Sequence, residues 1–198
     1  MIRLLLVLAL VFSPCALADG PSDEHRRVVS TLLLAKRVFP TRAQVLRTGR
    51  LDDTQRILID LADDTQAEVR LQLNAVRALE YFPTKTTEEV LMTLLYTRGQ
   101  TVAHRRAILR ALARAFGVKM YFEVLPFLRD VDPRIRSGAA MALAEIDDGR
   151  VRSMLLNLIE SEPEIEVRLA AEQGLALVEA REKAAAGART PAGTPLDE

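Results

Sequence analysis

The chain has 198 residues, enough for one domain or one short repeat array. Its 27 Lys and Arg balance 27 Asp and Glu, which excludes a general nucleic-acid binder; any electrostatic role has to come from a local patch. Apolar residues make up 49% and aromatics 5%, with no tryptophan, and the Leu-, Ala-, Arg- and Val-rich composition favours helices over a sheet.

The chain starts with an export pattern. Arg3 supplies one positive charge, Leu4 to Phe12 is an uninterrupted apolar run, and Pro14 breaks it. Ala16-Leu17-Ala18 is then a small-x-small cleavage site. This predicts a secretory signal peptide over residues 1–18, a mature start at Asp19, and a periplasmic or secreted protein. The apolar run is too short for a membrane span, which needs ~20 residues. Cys15 keeps a lipoprotein anchor open as an alternative, although Pro14 stands where a lipobox places a small residue. Cleavage after Ala18 leaves a chain with no cysteine, hence no disulfide and no thiol chemistry.

In chain order, a capping helix is expected over 22–38, then a Pro40-containing connection with a short helix over 41–48, the two making an N-terminal cap at 19–50. Four helix pairs follow, at 51–82, 86–116, 118–147 and 149–182, within a repeat region of 51–182. From Ala184 the composition turns to Ala, Gly, Pro and Thr, so 183–198 reads as a disordered tail. The pairs rest on internal repetition. Asp132 and Pro133 form a helix start, and Ile135, Ala139, Ala142, Leu143 and Ile146 recur at helical spacing. The Ala142-Leu143 position returns 32 residues later as Gly174-Leu175, 31 earlier as Ala111-Leu112, and 33 before that as Ala78-Leu79. Between these second helices lie first helices with an apolar pair and a following leucine, such as Val90-Leu91 with Leu94 and Met154-Leu155 with Leu158. In the earliest copy the lead Val69-Arg70 is shifted by two positions.

The run Val124-Leu125-Pro126-Phe127-Leu128-Arg129-Asp130-Val131-Asp132-Pro133-Arg134-Ile135-Arg136, followed by Ala139-Ala140 and Ala142-Leu143, resembles the HEAT repeat. It most resembles the short bacterial subset called PBS-lyase-type HEAT-like repeats. The likeness is clearest over 118–178 and departs from the pattern at His104, which replaces a Val or Ile. It implies an all-α fold, a right-handed α-solenoid of helical hairpins (an armadillo-type superhelix) whose second helices line the concave face. It does not imply bilin lyase activity.

Chemistry is sparse. His25 and His104 each open a His-Arg-Arg triplet at a helix start. Flanking guanidiniums would repel a cation, so both read as partly exposed helix-end histidines, and neither a metal nor a cofactor is expected. No Gly-rich phosphate loop or nucleophile elbow is present. The acidic pairs Asp52-Asp53, Asp63-Asp64 and Asp147-Asp148 fall at expected turns and read as caps. Asp130 and Asp132 with Arg136 read as a structural ladder between neighbouring repeats.

One stripe stands out. Arg106, Arg110 and Arg114 recur every four residues, opposite an apolar face through Ile108, Ala111, Leu112 and Ala115. Aligned by the Ala-Leu pairs, the second helices form three rows. They are Leu73, Arg106, Ser137 and Leu169; Arg77, Arg110, Met141 and Gln173; and Tyr81, Arg114, Glu145 and Leu177. Arg77, Tyr81, Arg106, Arg110 and Arg114 are therefore the candidate partner-binding residues. The bland alternative is a solvated arginine face, partly neutralised by Glu145. The expected function is a non-catalytic protein–protein interaction or scaffolding module taking another protein or an acidic peptide. Two alternatives stand beside it: an enzyme or enzyme-associated subunit of the lyase or isomerase type acting on a prosthetic group, and a purely structural solenoid.

Overall fold

The computed structural model describes residues 20–35 and 38–189. The expected signal peptide with Cys15, and residues 190–198 of the expected tail, lie outside the described residues. The elements in order are α1 (Asp23–Leu33), α2 (Arg42–Leu46), α3 (Leu51–Asp63), α4 (Val69–Ala78), α5 (Lys85–Tyr96), α6 (Val102–Phe116), α7 (Tyr121–Val124), α8 (Pro133–Glu145), α9 (Gly149–Ser161) and α10 (Ile165–Arg189). Short 3₁₀ turns extend α4 over Leu79–Tyr81 and flank α7 at Gly117–Met120 and Leu125–Arg129. Among the described residues there is no strand, and the fold is an all-α solenoid.

Most helices start on an oxygen that the sequence places there. Ser22 accepts the His25 N–H at 3.2 Å, Thr84 the Thr87 N–H at 3.2 Å and Thr101 the His104 N–H at 3.3 Å. Asp132 and Asp148 accept the N–H groups of Arg134 and Arg150, each at 2.9 Å. Each cap satisfies a backbone donor that has no partner inside its helix. Asp52 and Asp53 differ from the expectation: they lie inside the first turn of α3, where carboxylates complement the helix dipole. The first arm of the third hairpin also differs, being one turn of α-helix between two 3₁₀ turns instead of a continuous helix. Gly117 ends α6 at a φ of 55°. Pro126 then has no N–H to donate to the Phe122 carbonyl, so α-helical bonding cannot continue.

The second arms α4, α6, α8 and α10 pack on one another in sequence order and form one layer. The first arms α3, α5, α7 and α9 form the other, and they touch each other far less. Small side chains explain the difference. Ala111, Ala113, Ala139, Ala140, Ala142, Ala144, Ala171 and Gly174 are all buried in the second-arm layer. At Gly174 a Cβ would stand only 3.0 Å from the Ala144 Cβ, so α10 packs on α8 there with no room to spare for a side chain.

The register that the sequence left open is resolved by the fourth residue of each second arm. These residues are Gln72, Arg105, Arg136 and Arg168, separated by 33, 31 and 32 positions. Three of them clasp the turn just before their own helix. Gln72 donates to the carbonyls of Asp64 (2.7 Å) and Ala67 (3.0 Å). Arg136 donates to those of Asp130 (2.9 Å) and Val131 (3.4 Å), and Arg168 to those of Glu162 (2.8 Å) and Pro163 (2.7 Å). Gln72 therefore does the arginine's work in the earliest hairpin, and Val69-Arg70 is not the register position. Arg105 lacks the full clasp, since its buried Nε has no partner.

Two of these residues also reach the next hairpin. Arg136 binds the Glu162 carboxylate through two nitrogens, at 2.7 and 3.0 Å, with both side chains largely buried. This is the inter-repeat ladder, but it runs through Glu162 and backbone carbonyls; Asp132 pairs instead with Arg134 (2.7 Å). Gln72 Oε1 lies 2.9 Å from His104 Nε2. His104 is thus buried, contrary to expectation, whereas His25 remains half-exposed with Thr54 Oγ1 at 3.1 Å. Because the Gln72 amide nitrogen is committed to two carbonyls, its oxygen must accept, and His104 Nε2 donates. Nδ1 is then the free acceptor for the Thr101 hydroxyl at 2.8 Å.

The last helix runs past residue 182 to Arg189. Its far end is tied to the stack: Arg181 donates to the carbonyls of Ala144 (2.7 Å) and Ile146 (3.2 Å), and Arg152 pairs with Glu179 (2.7 Å) and Glu182 (3.4 Å). The stretch Ala184-Ala185-Ala186 continues the helix on intrinsic propensity.

Two measurements check this account. Glu162→Ala leaves Arg136 charged, buried and unpaired, and is expected to cost about 3 kcal/mol in chemical denaturation. Burial holds His104 below the ordinary histidine value of 6.5. The unfolded chain therefore binds this proton more readily than the fold does. The His104 contribution is complete above about pH 6.5 and is lost as pH falls below it. The denaturation midpoint should drop between pH 7.5 and pH 5 in the native chain, with a smaller drop in His104→Asn. The depressed carboxylates Glu145 and Glu162 act lower, as pH falls below their ordinary value of 4.5.

Candidate functional site

The arginine stripe of α6 faces a concavity of about 220 Å³. It is lined by Arg77 and Glu80 from the second arm of the first hairpin, Arg106, Arg110 and Arg114 from α6, and Gly138 and Met141 from α8. Four of the five residues picked from sequence therefore come together. Helical spacing explains why: positions four apart on α6 share one face, and the repeat brings Arg77 and Met141 alongside.

The fifth, Tyr81, does not line the concavity. Its hydroxyl donates to the Pro40 carbonyl at 3.1 Å and its ring lies 6.4 Å from that of Phe39. Arg77 stacks on the same Phe39 ring, with its guanidinium carbon 3.9 Å from the centroid, and reaches Asn74 Oδ1 at 3.4 Å. Tyr81 is thus a tether for the connection between α1 and α2, and Arg77 divides its side chain between that tether and the concavity.

The stripe itself is divided. Arg114 pairs with Glu145 at 2.8 Å and Glu80 at 3.3 Å, and Arg110 pairs with the same Glu145 oxygen at 2.7 Å. Burial pushes the Glu145 carboxyl up, but hydrogen bonds and charge from Arg114 and Arg110 outweigh it and hold the carboxyl below the usual range. The Arg114 guanidinium is correspondingly held more firmly charged: burial opposes this, and bonds to Glu145 and Glu80 overcome it. Arg106 differs. It is exposed and has no hydrogen bond or ion pair within the described residues. Its stem lies over α8, where a Cβ on Gly138 would come within 2.5 Å of the Arg106 Cγ. Gly138 therefore leaves room for this side chain to cross the neighbouring helix.

Four guanidiniums and two carboxylates stand around one concavity, and only Arg110 and Arg114 pair with those carboxylates, so the concavity keeps a net positive charge. Three of its features were not singled out from sequence: Glu80, Phe39 and Gly138. Glu80 stands 34 residues before Arg114, one more than the 33-residue spacing of these two hairpins, so alignment at one residue's offset would have found it. Phe39 had no such signal, lying outside the repeats.

Among the described residues, no group of three or more His, Cys, Asp or Glu is placed to hold a metal ion. No helix among them is long and apolar enough to cross a membrane. No curated protein matches the chain. The family model described as HEAT repeats matches residues 102–176, from the start of α6 into α10. The stacked hairpins of this segment are thus similar to HEAT repeats.

Proposed function

We propose that this chain is a non-catalytic protein-interaction module that takes an acidic segment of a partner on its second-arm face. The observation that carries the reading is the unbalanced charge of the concavity, with Arg106 exposed and unpaired among the described residues. HEAT repeats commonly mediate protein–protein interaction, and the packing supports the choice of face. A two-layer stack bends toward the layer whose helices pack more closely, here the second arms. Arginine beside an aromatic and a methionine is also the composition enriched where proteins bind proteins. The alanine-rich second arms α6, α8 and α10 fit the PBS-lyase-type subset of these repeats.

In this reading Arg110 and Arg114 are partly committed to the stack, and Arg106 with Arg77 makes the contact. Replacing Arg110 or Arg114 would disturb the Glu145 network, so Arg106 is the cleaner probe. Affinity capture from native extract should recover partner proteins with the full chain and at least ~10-fold less with Arg106→Glu, the loss expected for a central arginine of an interface. Equal recovery with both would refute the reading. The N-terminal pattern supports binding outside the cytoplasm; mass spectrometry of the native protein should find Asp19 as its first residue, and a retained or lipid-bearing Cys15 would contradict that.

A further inference from the structure

The face beyond the arginines has a second character. On α10, Leu169, Gln173 and Leu177 are spaced by four and form one stripe. Its direction is set by the next residue in the series, Arg181, which reaches back to the carbonyls of Ala144 and Ile146 at the end of α8. The stripe therefore runs beside α8, level with Met141 and Glu145, which flank the arginine concavity. Leu169 is 47% exposed and Leu177 44%, so both leave much of an apolar side chain in water. Up to Glu182, the rest of the exposed surface of this helix is carried by Ile165, Glu166, Glu172, Glu179 and Glu182 with the small Ala176 and Ala180. Two leucines two turns apart on one face, next to an arginine cluster, are not the composition of a solvated helix face.

We infer that this face takes a bipartite, extended segment of a partner protein: a carboxylate at Arg106 and Arg77, and an apolar side chain over Leu169, Leu177 and Met141. The inference rests on the acidic-segment reading above and adds the apolar half and its spacing. The concavity, at about 220 Å³, has room for side chains and not for a whole helix, whose diameter is ~10 Å. The two halves are two helices apart in the stack, from α6 across α8 to α10. At ~9 Å between packed helices the separation is ~18 Å. An extended chain covers that in about six residues at ~3.3 Å each. The occupant therefore carries Asp or Glu, then Leu, Ile, Met or Phe five to seven residues away. The acidic half supplies orientation and the leucine half supplies burial.

The test is to pan a phage-displayed library of random 12-residue peptides against the full chain. Enriched sequences, made as fluorescein-labelled peptides, are titrated by anisotropy against the native chain, Arg106→Glu and the double variant Leu169→Gln/Leu177→Gln. All substituted residues are exposed, and circular dichroism melts matching the native chain confirm folding. The expected result is an acidic residue and an apolar residue at that spacing, with affinity reduced at least ~10-fold by each variant. Loss with Arg106→Glu alone overturns the bipartite inference and leaves the acidic reading standing. Loss with the leucine variant alone, or enrichment of purely apolar peptides, overturns both. Binding that neither variant weakens overturns both as well.

Discussion

The constraint on which the stack depends is the clasp made by the fourth residue of three of the four second arms, Gln72, Arg136 and Arg168. A hairpin turn between helices leaves carbonyl groups without intrahelical partners, and burying them unpaired would cost more than the turn's apolar contacts return. Gln72, Arg136 and Arg168 each supply two hydrogen bonds to such carbonyls, and each lies at the same depth in its helix. The clasp fixes where the second arm starts, and so which of its faces meets the preceding hairpin. The alanines then fall where neighbouring second arms cross, and the helices can approach closely. Where the fourth residue also meets the next hairpin, as Arg136 meets Glu162 and Gln72 meets His104, one side chain sets both the turn and the spacing of the repeat.

The same register produces the charged face. Because the second arms are aligned, residues four apart on α6 come into line with residues on α4 and α8. Arg114 can then hold Glu80 on one side and Glu145 on the other. These pairs are partly exposed, and each contributes little to stability by itself. Their larger effect is on what remains. Two of the arginines are drawn toward carboxylates of the stack, while Arg106 lies across Gly138 with its guanidinium unclaimed by any described residue. The face is thus less positive than a count of arginines suggests, and its positive charge is concentrated at one end.

The repeat was legible because a helical hairpin encodes itself locally: a capping oxygen, an apolar stripe and a small residue at the crossing. The Ala78, Ala111, Ala142 and Gly174 register follows from those alone, and the structure keeps it. The earliest hairpin was harder to read because Gln72 substitutes for an arginine by hydrogen-bond geometry, not by charge, and a pattern built on Val-Arg pairs passes over it. His104 was misjudged for a related reason. Its burial depends on Gln72, 32 residues away, and no local feature marks the pair. Tyr81 was placed on the right helix row, but its partners Pro40 and Phe39 belong to a connection outside the repeat, so periodicity could not show that its hydroxyl was already used. The tie on the last helix is long-range in the same way, since Arg181 reaches carbonyls of the preceding hairpin 35 and 37 residues away.

Site-directed photo-crosslinking in the native cell tests most directly the claim that the second-arm face is the working surface. A photoreactive amino acid is placed at Met141, beside the arginine concavity, and separately at Glu123, exposed on the first-arm layer. The account predicts a discrete protein adduct from position 141 that disappears in the Arg106→Glu background, and no such adduct from position 123. An adduct from position 123, with none from position 141, would contradict it.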